Sequence, residues 1–197
     1  TYEVDELHRV TKTTLPSTLY TQTTFDALGN VATFRGLDGL VTKYYHDALN
    51  RVTSMTEAFG TAAARTTTYD HDKVGNVTKA WDYLGKLTEY VRDGLDRLTK
   101  VIDPLLNEIE RVYDKVGNLL SIEDATNQVT NFVYNALNQQ TKVTDPGSNA
   151  TNILHDAMGN VVQTLDALGN PAWRAYDERG QLVLEVDARG GTTKYAY

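Results

Sequence analysis

A short phrase, Asp-x-x-Gly, recurs along the chain at nearly constant spacing, and this repeat constrains the fold more than any other feature. Clear copies are Asp26-Ala27-Leu28-Gly29-Asn30 and Asp166-Ala167-Leu168-Gly169-Asn170. From Asp72 onward the phrase begins in turn at positions 72, 82, 93, 103, 114 and 124, and shorter and longer steps continue to alternate strictly up to position 187. Two successive steps, such as Asp72 to Asp93, make one 21-residue unit with two halves.

The same spacing runs backward from Glu57 to Asp5, so that only one step is irregular. That step runs from Glu57 to Asp72 and is longer than all others, and we interpret the excess as a bulge or longer loop near residues 60–70. Eighteen half-units, or about nine units, cover residues 1–197. The sequence therefore predicts a single repeat array.

The phrase has the chemistry of a reversing turn. Asp at the first position caps a type I turn through its side chain, and Gly at the fourth adopts a left-handed backbone without a Cβ clash. Thr18, Leu106 and Ser148 occupy fourth positions, and we expect these three turns to need another geometry. The predicted turn residues are Asp26, Gly29, Asp72, Gly75, Asp82, Gly85, Asp114, Gly117, Asp156, Gly159, Asp166, Gly169, Asp177, Gly180, Asp187 and Gly190.

The segments between turns favour strands. Each has about six or seven residues, enough for a strand of roughly 20 Å. Val129–Tyr134 and Leu182–Val186 are rich in β-branched and apolar residues, and helix-capping signals are missing. The predicted fold class is all-β: tandem antiparallel hairpins forming a long curved or twisted sheet ribbon. A parallel β-solenoid with a 21-residue coil is the alternative, against which the hairpin-type turns argue.

Aromatic residues recur in register with the turns, one and three residues before the phrase. Because every second residue of a strand shares a face, these side chains are predicted to form rows that hold the strand register. We expect one face of the sheet to be more apolar than the other. The predicted ladder residues are Phe25, Tyr44, Tyr90, Tyr113, Phe132, Tyr134, Tyr176, Tyr195 and Tyr197.

The unit resembles the YD repeat of the Rhs family. Residues 190–197, Gly-Gly-Thr-Thr-Lys-Tyr-Ala-Tyr, match the first half of that repeat, and residues 39–47 and 85–90 repeat it with substitutions. Such repeats occur in bacterial polymorphic toxins, insecticidal toxin complexes and animal teneurins. The resemblance implies a hollow β-shell, which in the toxins encloses a C-terminal toxic polypeptide.

The resemblance also implies partners and a location. The partners would be an enclosed C-terminal polypeptide or further repeats of the same shell, in an exported bacterial protein that is secreted or on the cell surface. Because the family's shells are many times longer, we expect the sequence to be a segment. Tyr197 would then be the Tyr of a YD pair whose Asp is missing.

No catalytic role is predicted for the Asp-Pro pairs. Rhs cores close with an Asp-Pro-x-Gly-Leu motif, whereas Asp103-Pro104 and Asp145-Pro146 share only its first two residues. No other hydrolase or phosphate-binding motif stands out. We therefore expect a structural protein, not an enzyme, without a cofactor.

The polar cluster Asp70-His71-Asp72 suggests metal or acid–base chemistry, but its periodic positions favour a structural role. His71 lies in the aromatic slot and Asp72 in the turn slot, and His46 and His155 share the slot of His71. Calcium binding is also not predicted. The Gly-Gly-x-Gly-x-Asp nonapeptide is absent, and one Asp per turn cannot supply about six converging oxygens.

Composition limits the partners further. The net charge of −7 gives no basic field for nucleic acid or an anionic membrane, and no apolar run reaches the roughly 18 residues of a membrane helix. Cysteine is absent, so no disulfide or thiolate metal site forms, and the first residues lack a signal-peptide pattern.

Two binding possibilities remain open. Trp81 and Trp173, with the tyrosine rows, suggest a sugar-stacking surface, so the alternative function is a repeat module that binds carbohydrate or a cell-surface partner. A ribbon also leaves unpaired backbone groups on its edge strands. We therefore expect edge pairing, self-association or a wrapped closure.

Overall fold

The computed structural model describes residues 1–197 and consists of strands and turns. The strands are β1 Tyr2–Val4, β2 Val10–Thr14, β3 Tyr20–Phe25, β4 Val31–Arg35, β5 Val41–His46, β6 Val52–Glu57, β7 Arg65–His71, β8 Val77–Trp81, β9 Leu87–Arg92, β10 Leu98–Ile102, β11 Glu108–Tyr113, β12 Leu119–Glu123, β13 Val129–Tyr134, β14 Gln140–Thr144, β15 Ala150–His155, β16 Val161–Leu165, β17 Pro171–Tyr176, β18 Leu182–Val186 and β19 Thr192–Lys194. No helix is long and apolar enough to cross a membrane.

Strands that follow one another in the chain are neighbours in the sheet. β2 pairs antiparallel with β3, β3 with β4, and the same arrangement continues along the chain. The predicted fold class, an all-β array of antiparallel hairpins, is confirmed. The parallel solenoid is excluded, because its neighbouring strands would run in the same direction.

Strand length explains why shorter and longer steps alternate along the sequence. From β8 to β18 the strands alternate between five and six residues, while each regular turn takes five. Hairpins that follow a six-residue, odd-numbered strand, such as β3–β4, β5–β6 and β13–β14, contain a register shift. In β3–β4, for example, Thr24 pairs with Thr33, but Phe25 pairs with Val31.

The one irregular step in the sequence corresponds to an irregular connection. It runs from Ala58 to Ala64, between β6 and β7, and it is closed by a bond of 3.1 Å from the Thr61 N–H to the Ala58 carbonyl. The spacing places a regular turn at Glu57–Gly60, and that position is wrong, because Glu57 still belongs to β6. The additional residues move the reversal onto Ala58–Thr61.

The chain divides into two compact parts, which we call the first unit and the second unit, and each contains several of the 21-residue repeats. The first consists of Thr1–Arg97 with Val101–Leu106, and the second of Leu98–Lys100 with Asn107–Tyr197. Each unit is a single layer of strands. No hydrophobic side chain is buried in either, and Thr56, with 8% exposure, is the one buried polar residue.

Two sets of turns lie at opposite ends of the strands within each unit, because the strands alternate in direction. We call the turns that follow odd-numbered strands side A turns, and those that follow even-numbered strands side B turns. Positions within a turn are counted from the first residue of the phrase. Asp26–Asn30 is thus a side A turn, and Asp82–Lys86 is a side B turn.

Candidate functional site

In most turns the first residue is Asp, or Asn at position 135, and it organises the turn through two sets of bonds. In the turn that begins at Asp26, the carboxylate Oδ1 accepts hydrogen bonds of 2.9 Å from the backbone N–H groups of Leu28 and Asn30. The Gly29 N–H donates to the Asp26 carbonyl at 3.1 Å. Equivalent fourth-to-first bonds close every turn of the array except the irregular connection after β6. The side chain thus satisfies backbone donors that the turn leaves free.

The fourth position is left-handed in every regular turn. The predicted turn glycines have φ between 73° at Gly85 and 104° at Gly75. Thr18, Leu106 and Ser148 have φ of 67°, 67° and 66°, so the expectation that they need another geometry is wrong. A side chain in this conformation costs about 1–2 kcal/mol. The bonds that close the turn on both flanking strands outweigh that cost.

The fifth position of side A turns strengthens the cap from the other end. The Arg51 Nε donates to Asp47 Oδ2 at 2.7 Å, and this bond, with those from the backbone, lowers the pKa of Asp47 to about 2. Arg97 makes the same contact with Asp93 and lowers its pKa. The fifth-position residues of side A are Arg9, Asn30, Arg51, Asn76, Arg97, Asn118, Gln139, Asn160 and Gln181.

Several of these fifth-position side chains also reach the next side A turn. Asn118 Nδ2 donates to Asn138 Oδ1 at 2.9 Å, and Asn30 Nδ2 donates to Asn50 Oδ1 at the same distance. Arg51 Nη1 donates to the Asp72 carbonyl at 2.6 Å. The turn phrase alone does not predict this polar ladder. Its signal is the recurrence of Arg, Asn or Gln at the fifth position of alternate turns.

The aromatic slots lie on one face of each unit, which we call the aromatic face. Residues directly opposite in paired strands share a face, and Tyr113 pairs with Leu119 while Tyr176 pairs with Leu182. Phe25 pairs with Val31 in the same way. Aromatic side chains therefore occupy every second strand, with mainly aliphatic side chains between them. That these rows hold the register stays a prediction.

Some tyrosine hydroxyl groups donate hydrogen bonds to backbone carbonyls of an adjacent strand. The Tyr113 hydroxyl donates to the Leu98 carbonyl at 3.2 Å, and the Tyr176 hydroxyl donates to the Val161 carbonyl at 3.1 Å. Each ring thus spans back over an adjacent strand. In the first unit, burial and the proximity of Tyr90 raise the pKa of Tyr69.

The opposite face, which we call the polar face, carries most of the ion pairs that join side chains of paired strands. Lys79 contacts Glu89 at 3.1 Å in the first unit, and Lys100 contacts Glu108 at 2.6 Å in the second. The predicted difference between the faces is confirmed. The charged residues of the aromatic face are few: Glu57, Arg65, Arg92, Arg111, Arg174 and Glu185.

The two tryptophans lie on the polar face of their units. Trp81 pairs with Thr68 and Leu87, and it is half-buried. Trp173 pairs with Gln163 and Val186 and is 47% exposed. They therefore do not form one stacking surface with the tyrosine rows, which lie on the other face.

The Asp70-His71-Asp72 cluster is dispersed by the strand geometry. Asp70 pairs with Lys79 on the polar face, whereas His71 pairs with Val77 on the aromatic face. Asp72 Oδ1 accepts bonds from the N–H groups of its own turn. No group of three or more His, Asp or Glu side chains is arranged to hold a metal ion.

Asp-capped turns, a single antiparallel layer and one aromatic face define the chain as a tandem β-hairpin repeat protein. Residues 71–105 and 113–150 match the family model described as RHS Repeat. The predicted resemblance is confirmed, and the chain carries RHS repeats in these two stretches. No curated protein sequence matches the chain.

Solved structures share the fold at low sequence identity. The chain aligns with the crystal structure of TcdB2-TccC3 with a TM-score of 0.68 and 13% identity, over 93% of this chain and 14% of that one. It aligns with TcdB2-TccC3-Cdc42 with a TM-score of 0.65 and 14% identity, over 85% and 12% of the two chains. A Tc holotoxin pore from Photorhabdus luminescens gives a TM-score of 0.65 and 14% identity, over 86% and 12%. The chain thus spans a small part of the length of these structures.

Proposed function

We propose that residues 1–197 form one continuous repeat array that serves as a wall segment of a β-shell, with its aromatic face against an enclosed polypeptide or a second layer. The observation that carries this proposal is a sheet with one apolar face and no buried hydrophobic side chain. Apolar surface of this extent is favourable only when something covers it. The similarity to Tc toxin structures supports the proposal.

In this role the chain is not catalytic. Its polar side chains are used in turn caps, in the polar ladder and in ion pairs across strands. A wall needs only rigidity and two distinct faces, and the repeat supplies both. The partners are an enclosed C-terminal polypeptide, such as a toxin, or further repeats of the same shell. The protein is exported and acts outside the cytoplasm of the cell that makes it.

The sheet ends offer a second kind of contact in this proposal. β1 and β19 each have three residues and one neighbour in the sheet. Their outer backbone groups are free to pair with strands of further repeats or of another copy. Pairing of this kind extends the wall without altering either face.

Thiol labelling tests which face is covered, because the chain has no cysteine. Val143 lies on the aromatic face and Thr144 on the polar face of β14, and both are half-buried. In the 197-residue chain alone, Val143→Cys and Thr144→Cys are expected to react at similar rates. In the protein at its natural length, Val143→Cys is expected to react at least about tenfold more slowly, because it is covered. Equal reactivity at both positions in the natural-length protein would refute the shell role.

Glycan binding is the second candidate function, and the exposure of Trp173 beside Gln163 favours it. An exposed indole next to an amide provides stacking and hydrogen bonding together. If the chain binds a glycan on an array, Trp173→Ala should abolish binding while the circular dichroism spectrum stays unchanged. The half-buried Trp81→Ala is the comparison variant. Retained binding in Trp173→Ala would dismiss this surface.

A further inference from the structure

A row of exposed aliphatic side chains runs along side A of the first unit. The third position of every side A turn there is aliphatic: Leu7, Leu28, Leu49, Val74 and Leu95. Their exposed fractions lie between 67% and 72%. The second unit has Val116, Leu137 and Met158 at three of its equivalent positions, but the charged Arg179 at the fourth. We call the five side chains of the first unit the side A row.

Turn geometry does not explain the side A row. Side B turns of the first unit have the same backbone bonds, yet two of them carry Ser17 and Asp38 at the third position. A polar residue therefore fits the position, and only side A is aliphatic at every turn of this unit. The second position beside the row is small at Ala27, Ala48 and Gly94, which leaves the aliphatic tips clear.

The spacing of the row restricts what can cover it. Successive side A turns are two strands apart, which corresponds to about 9.6 Å. A partner that contacts every tip must present apolar groups at the same interval. Side B does not meet this requirement, because Ser17 and Asp38 interrupt it. Another side A row does.

We propose that the side A row docks against the side A row of a second copy of this chain, antiparallel, about a two-fold axis at Leu49. Leu49 then meets its own equivalent, Leu28 meets Val74, and Leu7 meets Leu95. The fourth positions agree with this arrangement. His8 faces Asp96 of the second copy, and no two like charges oppose one another at the second, third and fourth positions. At the first and fifth positions Asp and Arg each oppose their own kind, but each Arg is paired with the Asp of its own turn, as in Arg9–Asp5 and Arg97–Asp93.

The area available predicts a weak dimer. An aliphatic side chain of this size contributes roughly 60–120 Å² on burial, so that the row supplies about 300–600 Å² per copy. A standard stable interface buries about 800 Å² per partner. The dimer is therefore expected to be weak and reversible, and not permanent.

Disulfide formation gives a direct test on the full chain, which has no native cysteine. Under mild oxidation Leu49→Cys is expected to form a covalent dimer rapidly, because its equivalent lies across the axis. Leu84→Cys, an exposed third-position residue of side B, is the matched control and is expected to stay monomeric. An equal mixture of Leu7→Cys and Leu95→Cys should give the mixed dimer. Equal cross-linking of Leu49→Cys and Leu84→Cys would overturn the proposal.

Sedimentation equilibrium provides an independent measurement. Replacing Leu28, Leu49 and Val74 by Ser is expected to weaken dimerisation about tenfold or more. Serine is compatible with the turn, since Ser17 occupies the same position on side B. Leu84→Ser with Leu105→Ser should leave the dimer intact, and circular dichroism checks the fold of both variants. A dimer of unchanged affinity in the side A variant contradicts the proposal.

Discussion

The turn phrase makes two chemical demands, and they differ in strictness. The first position supplies a side-chain acceptor in most turns, from Asp or from Asn135, but turns that begin at Leu15 and Gly36 close with the same backbone bonds without one. The fourth position needs only a backbone shape, and Thr18, Leu106 and Ser148 adopt it with β-branched, bulky or polar side chains. The paired strands therefore impose the turn, and glycine reduces its cost.

Gly117→Ala should measure that cost without interference from packing. Gly117 has φ of 103°, and a Cβ added there meets nothing within 4 Å. The substitution is expected to lower the free energy of unfolding by about 1–2 kcal/mol, because an alanine is strained at this φ. Urea unfolding followed by circular dichroism measures the change.

Gly94→Ala is the matched control for that experiment. An added Cβ there also meets nothing, and its φ lies outside the left-handed region. The free energy of unfolding should stay the same or rise by about 0.4–1 kcal/mol. A comparable loss in both variants would mean that the cost comes from the side chain's surroundings and not from the backbone.

At the scale of the hairpin, the side A and side B turns differ in the contacts of the fifth residue. Asn118 on side A binds both Asp114 Oδ2, at 2.8 Å, and Asn138 of the next turn. Asn149 on side B binds Asp145 Oδ2 at 2.9 Å within its own turn. The polar ladder thus connects side A turns that are two strands apart in the sheet.

Asn118→Ala is expected to destabilise the chain more than Asn149→Ala, by about 0.5–1 kcal/mol. The difference is the net contribution of the bond to the next turn, since each variant loses one bond to its own Asp. Thermal or urea unfolding gives the comparison. A double-mutant cycle with Asn138→Ala should assign the excess to the Asn118–Asn138 pair, and an absence of coupling would show that the ladder carries no stability.

The sequence predicts the elements well because turn chemistry and strand period agree at almost every unit. Strand existence, direction and the aromatic face follow from that spacing. It misplaces the reversal at Ala58–Thr61, because the spacing fits a turn at Glu57–Gly60 and nothing in the sequence shows that the additional residues move it. Nor does it reveal the polar ladder, because a bond between Asn118 and Asn138 depends on how neighbouring hairpins stack and not on either turn alone.

At the scale of the molecule, the 21-residue period keeps equivalent strand positions on the same face of the sheet from one repeat to the next. The last residue of an odd-numbered strand, such as His155, lies on the aromatic face and pairs with Val161 after a side A turn. After a side B turn, Leu165 pairs with Pro171 on the polar face. A strand of the wrong parity would therefore place its side chains on the wrong face.

Deleting residues 156–176 removes one complete unit and should leave a folded chain with a similar circular dichroism signal per residue. Deleting residues 156–165 removes one half-unit, joins His155 to Asp166 and turns Tyr176 toward the polar face. The half-unit deletion is expected to cost at least about 2 kcal/mol more in the free energy of unfolding, although it removes fewer residues. Equal stability of the two deletions would show that face identity is not what the period maintains.

The lack of a buried core determines how such a chain tolerates change. A core side chain usually touches about 6–12 other residues, so that one substitution forces others. Here a side chain meets only its own 21-residue unit and the neighbouring units. The slot before the side A turns is occupied by residues as different as Val4, His46, Arg92 and Tyr134. The sequence of one 21-residue repeat can therefore change without affecting the packing of distant repeats. The intervals between turns are thus retained along the whole chain, while recognition by sequence alone reaches residues 71–105 and 113–150.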